Sequence, residues 1–140
     1  MTMRQQVLPE WVDYNGHLSE GYYVLVFGFA TDALMDQVGM DAAYLNDSSC
    51  SLYTVEAHVR YLREVPPESE MLVTTRVVEV GAKKLRLCHE MVVDDVLRAT
   101  TELVALHVDS EQGRTTPFPE DIAARLSDRL EPAPDYAGRV

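Results

Sequence analysis

Residues Trp11–Val38 read WVDYNGHLSEGYYVLVFGFATDALMDQV, a polar, turn-prone opening that runs straight into the longest apolar helical segment of the chain. Ser19 is of the type that starts helices, and after it Tyr23, Val26, Phe27, Ala30, Leu34 and Val38 recur at helical spacing along one face. The segment predicts a helix of about five turns. Val24, Leu25, Phe29 and Met35 spread apolar character round the cylinder, interrupted only by Thr31, Asp32, Asp36 and Gln37, so burial on most sides is expected. The first-turn amides near Gly21 and Tyr22 lack intrahelical partners and sit at the positive end of the helix dipole, where they can polarise a carbonyl. Ahead of them, Asp13-Tyr14-Asn15-Gly16-His17 sets a carboxylate, an amide and an imidazole within one short loop. The same string also reads as an ordinary turn, with Asp and Asn as turn formers and Gly16 supplying a positive φ.

Outward from this stretch the chain bounds its own class. At 140 residues it is one domain, expected over 1–130, with 131–140 as a loose tail. A hydrophobic share of 46% argues for a packed globule rather than disorder. The amino-terminal MTMRQQ has no apolar core and the longest apolar run, Tyr22 to Ala30, is too short to cross a bilayer, so a cytoplasmic protein is expected. A net charge of −11 without a basic cluster disfavours nucleic acid, although Arg60, Arg63, Lys83, Lys84 and Arg86 suffice locally for a phosphorylated small molecule. Cys50 and Cys88 have neither metal nor redox spacing and read as reduced buried thiols. His58, His89 and His107 lack the companions of a zinc site, and no Gly-rich phosphate loop is present, so neither a metal nor a cofactor is expected.

Around the helix the pattern is strand-like. Val7 to Val12 is short and mixed, with Pro9 suited to an edge strand. Gly39 stops the helix, Met40–Leu45 makes a further turn, and Asn46–Ser49 is a polar loop. From Leu52, alternation sets Tyr53, Val55, Ala57, Val59 and Tyr61 on one face against Thr54, Glu56, His58 and Arg60. Pro66-Pro67 ends that strand. Met71–Val80, Leu85–Val93 and Leu97–Val108 follow as strands with short connections, which predicts an antiparallel meander. Pro119 and the acids after it start a last helix that runs to about Leu130. The class is α+β, a curled antiparallel sheet of about five strands wrapped around one long central helix. A helix apolar nearly all round exceeds what one such sheet covers, which points to a second subunit.

The order of elements, with DYNGH before the central helix, VEAHVRYLREVPPESE in the first long strand and its exit, and a closing PFPEDI, resembles the hot-dog-fold acyl-CoA thioesterases of the 4-hydroxybenzoyl-CoA thioesterase type. The likeness covers Val7 to Leu126. Within that family, DYNGHLSEGYYVLVFGFATDAL is most similar to the betainyl-CoA thioesterases associated with carnitine dehydrogenase in carnitine breakdown. The resemblance implies a hot-dog fold, an acyl-CoA substrate, a homodimer or homotetramer with active sites at the subunit interface, Asp13 as catalytic carboxylate and Gly21 and Tyr22 as the oxyanion amides. Many relatives carry paired asparagines where this chain has Ser19-Glu20.

Thioester hydrolysis suits a sparse site, because a thiolate with a parent pKa of about 8.5 leaves with little help. Asp13 would deprotonate a water or attack the carbonyl itself, with Asn15 and His17 orienting it or the thioester. A betainyl group carries a quaternary ammonium, which aromatic faces and negative charge hold. Trp11, Tyr14, Tyr22, Tyr53, Tyr61 and Glu20 are the substrate-binding candidates, though each aromatic is equally a core or interface residue. A hot-dog enoyl-CoA hydratase or dehydratase, a thioesterase for another short-chain or aromatic acyl-CoA, and a non-catalytic acyl-CoA-binding module are the competing readings.

Overall fold

A computed structural model describes all 140 residues, Met1–Val140. The central helix, α1 (Glu20–Val38), buries Tyr23, Val26, Phe27, Ala30, Leu34 and Val38 as the spacing requires. Thr31, read as an interruption, is buried with them. Its hydroxyl lies 3.2 Å from the Phe27 carbonyl and 2.9 Å from His89 Nε2, so the polar atom is satisfied inside the core. Val24 and Leu25, by contrast, stay exposed in the single chain.

The sheet that curls about α1 contains β1 (Thr2–Gln6), β2 (Cys50–Tyr61), β3 (Glu70–Val80), β4 (Lys84–Val93), β5 (Val96–Asp109) and the two-residue β6 (Arg114–Thr115). The first strand lies upstream of Val7–Val12. Pro9, which has no N–H and a fixed φ, instead opens a 3₁₀ turn over Pro9–Trp11. The strand order is β1-β3-β4-β5-β2, with β6 on β5 and every pairing antiparallel. Only β3-β4-β5 is therefore a meander. The expected hairpin between β2 and β3 is a crossover: β2 pairs with β5 at one edge, while β1 takes the far side of β3. That crossover runs past the amino end of α1, where the Leu18 amide donates to the Val65 carbonyl at 3.0 Å and Val65 is wholly buried.

A bulge between Thr54 and Glu56 resets the faces of β2. Leu52 and Thr54 oppose His107 and Ala105, and after the bulge Ala57, Val59 and Tyr61 oppose Leu103, Thr101 and Ala99, all on the helix side. Tyr53, paired with Leu106, points to the opposite face, which corrects the single alternation read across the strand.

Two apolar clusters fill the space under α1. One, toward its amino end, includes Trp11, Tyr23, Phe27, Met71 and Met91, and the other, toward its carboxyl end, includes Leu34, Val38, Leu87, Ile122 and Leu126. Each fully buried side chain of this size contributes about 2 kcal/mol from removal of apolar area from water. α2 (Ala42–Ser48) takes in most of the expected polar loop because the Asp41 carboxylate caps it at the Tyr44 amide, 2.9 Å away. α3 (Glu120–Ser127) ends before the expected Leu130 and closes the second cluster through Ile122 and Leu126.

The carboxyl-terminal residues, expected to hang loose, lie along the outer face of the sheet. The Gly138 and Arg139 amides donate to the fully buried Glu102 carboxylate at 2.7–2.9 Å, Arg86 adds a 2.8 Å contact, and the Tyr136 hydroxyl donates to Glu90. Burial alone would raise the Glu102 pKa, yet these donors hold it below the ordinary value.

Candidate active site

The loop before α1 is a tight hairpin. Val12 bridges Leu18, the Asp13 amide donates to the His17 carbonyl at 3.0 Å, and the Gly16 amide returns to the Asp13 carbonyl at 3.0 Å. Gly16 takes φ +81°, the left-handed conformation that a glycine adopts without a Cβ clash. Asp13 braces the turn from within, its Oδ1 accepting from the Asn15 amide at 2.9 Å, and its Oδ2 receives no hydrogen bond from the chain. The Ser19 amide then donates to the Trp11 carbonyl at 2.9 Å, pinning the loop to the start of the helix.

At that start the backbone is left open. Ser19 occupies the cap position in an extended conformation, but its hydroxyl makes no capping bond. The Tyr22 amide turns back to the Ser19 carbonyl at 3.0 Å, whereas the Glu20 and Gly21 amides have no acceptor within the chain. A Cβ built on Gly21 would meet nothing within 4 Å, so there is room above these donors for another molecule. Two unsatisfied amides at a helix amino end form a ready acceptor site for a developing negative charge.

An open pocket of 310 Å³ lies at this junction, lined by Asp13, Asn15, His17, Leu18, Glu20, Tyr23, Tyr61 and Glu64. The crossover delivers Glu64, whose Oε2 is 3.1 Å from His17 Nε2, and Arg98 fixes the Glu64 carbonyl from below at 2.7 Å. Three of the lining residues are acids and none is lysine or arginine. A second hollow, of 230 Å³, lies between α1 and β2 against Val24, Phe27, Gly28, Ala57 and Leu103. It is an apolar slot whose one acid, Asp32, has its pKa raised by burial and by Asp36.

Of the residues singled out from sequence, Asp13, Asn15, His17, Glu20 and Tyr61 are brought together, with Gly21 next along the helix. Four aromatics are not. Trp11 is buried and stacks on Tyr22, with centroids 5.4 Å apart and planes at 19°, and the Tyr22 amide is already used within the turn. Tyr14 is 98% exposed at the loop tip, and Tyr53 faces the other side of the sheet. Tyr23 and Glu64 are pocket residues that sequence reasoning missed. Tyr23 reads as core from its place on the buried stripe, and nothing local marks Glu64, which depends on a crossover.

The sequence matches the family model described as the thioesterase-like superfamily over residues 7–126. A betainyl-CoA thioesterase of Pseudomonas aeruginosa is 38% identical, covering 99% of this chain and 92% of its own length. An L-carnitine dehydrogenase/betainyl-CoA thioesterase of Agrobacterium fabrum is 42% identical over 91% of this chain, which spans only 27% of that protein. Among solved structures, a protein of Pseudomonas putida described as a thioesterase superposes with a TM-score of 0.84 at 36% identity, covering 99% of this chain and 92% of its own. A hypothetical protein of Staphylococcus aureus, solved in complex with CoA, shares the fold with a TM-score of 0.89 at 22% identity, covering 98% of this chain and 87% of its own.

Proposed function

The chain belongs to the thioesterase-like superfamily, and from that premise we propose that it hydrolyses betainyl-CoA to betaine and CoA, as a step in carnitine breakdown. The observation that carries the chemistry is the free Asp13 Oδ2 in the same pocket as an uncapped helix start. In this mechanism the thioester carbonyl oxygen lies against the Glu20 and Gly21 amides. Asp13 takes a proton from water, and the resulting hydroxide attacks the carbonyl carbon. The electron pair of the C=O bond moves to oxygen, where the amides hold it, each donor contributing about 3 kcal/mol. The pair then returns, the C–S bond breaks, CoA leaves as a thiolate, and Asp13 passes its proton to the thiolate or to solvent. Asn15 fixes the Asp13 carboxylate and His17 orients the substrate. Solvent access to an open pocket favours water as the nucleophile over attack by Asp13 itself.

The assembly is part of the same proposal. β2 is an edge strand with unpaired backbone groups, and Val24, Leu25, Tyr53 and Val55 are exposed beside it. A long apolar edge of this kind calls for a partner, and a second copy of the chain paired along β2 covers it, giving a homodimer or homotetramer with the site at its seam. The protein has no helix long and apolar enough to cross a membrane. A cytoplasmic setting suits the two free cysteines and a CoA ester as substrate.

The proposal is tested by following free thiol release from betainyl-CoA, acetyl-CoA and butyryl-CoA with a thiol-trapping dye, and hydration of crotonyl-CoA in parallel. Betainyl-CoA should give the largest kcat/KM. Crotonyl-CoA hydration without thiol release would replace the hydrolase with a hydratase.

A further inference from the structure

We propose that Tyr23 and Tyr61, with the carboxylates of Glu20 and Glu64, form the subsite that recognises the quaternary ammonium of the acyl group. This assignment rests on the betainyl-CoA reading above and adds the residues that would read the charge.

The chemistry of such a group is restrictive. A trimethylammonium has no N–H to donate, spreads its charge over three methyls, and is best held by the electron-rich faces of neutral aromatic rings with negative charge nearby. Two rings and two acids meet that demand beside Asp13. Tyr23 and Tyr61 stand edge to face with centroids 5.1 Å apart and planes at 84°, a rigid right-angled wall. Both rings line the pocket that contains Asp13 and His17, and both also line an adjoining hollow of 420 Å³ with Leu62, Arg63 and Glu64. Tyr23 is packed against the core, its hydroxyl 3.5 Å from the Arg63 carbonyl, whereas Tyr61 keeps close to half its surface free. A buried, fixed ring therefore backs an accessible one.

Both acids line the same pocket as the two rings. Burial raises the phenol pKa of both tyrosines; Glu20 raises that of Tyr61 further and Glu64 that of Tyr23, which marks each acid as the neighbour of one ring. Glu64 is already in contact with His17, so it links the ammonium subsite to the catalytic loop. Of the nearby cations, Arg63 lines the adjoining hollow and not the pocket, and Arg98 is engaged with the Glu64 and Val93 carbonyls. The other aromatics of the region are unavailable, Trp11 being stacked in the core on Tyr22.

The test compares betainyl-CoA with 3,3-dimethylbutanoyl-CoA, its neutral isostere in which carbon replaces the nitrogen, so that shape is constant and only charge differs. The readout is the ratio of the two kcat/KM values in the full chain and in Tyr61→Leu, Tyr61→Phe, Glu20→Gln and Glu64→Gln. The full chain should prefer the cation. Tyr61→Leu and Glu64→Gln should each lower the ratio about tenfold, Glu20→Gln should lower it less, and Tyr61→Phe, which keeps the ring, should hold it near the starting value. A general loss of folding or of His17 orientation lowers both rates and leaves the ratio alone. If the full chain discriminates and Tyr61→Leu and Glu64→Gln keep its ratio, the subsite assignment is wrong while the substrate stands. If the full chain shows no preference for the charged ester, the substrate reading falls and takes the subsite with it.

Discussion

At its carboxyl end α1 is closed. Gly39 takes φ +96° and its amide returns to the Met35 carbonyl, the Met40 amide adds a 2.8 Å bond to the same carbonyl, and Arg125 Nη1 covers the Val38 carbonyl at 3.1 Å. Beside it, His107 is held between the Tyr44 hydroxyl and the Thr116 carbonyl at 2.7 and 2.8 Å. At the amino end of the same helix two amides and a carboxylate oxygen are left without partners, next to a 310 Å³ pocket. One helix thus has an end finished for stability and an end left unfinished, and unsatisfied polar groups are kept where a substrate can satisfy them.

The comparison requires that changes at the open end cost rate and changes in the closed interior cost stability. Asp13→Asn is the sharpest break. It removes the proposed base while keeping an acceptor for the Asn15 amide, so kcat should fall roughly a thousandfold with the urea midpoint of unfolding unmoved. A comparable loss of stability would mean that Asp13 serves the turn and not the reaction. In the interior the largest effect should come from His89, packed between Thr31 and Thr75 and stacked on Phe27. Burial pushes its pKa down from 6.5 to about 4. Between those values the unfolded chain binds a proton that the folded chain refuses. Stability is therefore full above pH 6.5, is lost as pH falls from 6.5 to about 4 and levels off below that, by about 2–3 kcal/mol between neutrality and pH 4.5. His89→Asn should flatten that slope in urea titrations at the two pH values; an unchanged slope would assign it to other groups.

The same contrast explains what could be read from the amino-acid order. The helix was legible because its apolar stripe repeats over five turns, and the DYNGH loop because turn chemistry is local. β2 was legible as a strand but not by face, since the bulge at Val55 is one residue of slip that no periodicity announces. The candidate site was half legible. Asp13, Asn15, His17 and Glu20 are contiguous with the helix start, while Tyr61 and Glu64 reach it only because β2 pairs with β5 and the chain must then cross the helix end to begin β3. Trp11 lies outside the pocket for a physical reason: a large aromatic beside a turn is as useful for anchoring that turn to the helix as for touching a ligand.

A smaller test moves to the closed cap. Gly39→Ala places a Cβ at a left-handed φ and 2.6 Å from Arg125 Nη1, which must swing away from the Val38 carbonyl. Unfolding free energy should drop by about 1–2 kcal/mol, with kcat/KM within twofold of the starting chain. A fall in rate of tenfold or more would show that the two ends of α1 are coupled through the rod.

The smallest effect asks whether the amino end is truly uncapped. Ser19 is in cap position with its hydroxyl unused, whereas Asp41 at the head of α2 accepts from the Tyr44 amide at 2.9 Å. A working cap is worth about 1 kcal/mol, so Asp41→Ala should cost roughly that amount and Ser19→Ala only a few tenths. The difference is measurable by paired urea titrations. Equal costs would mean that the Ser19 hydroxyl binds a first-turn amide in solution. The substrate oxygen would then have to displace an existing bond, and the amides could contribute to the transition state only the excess of an oxyanion over a hydroxyl acceptor. An uncapped start leaves only water to displace, so an acceptor that gains charge could bind those amides without breaking a protein hydrogen bond.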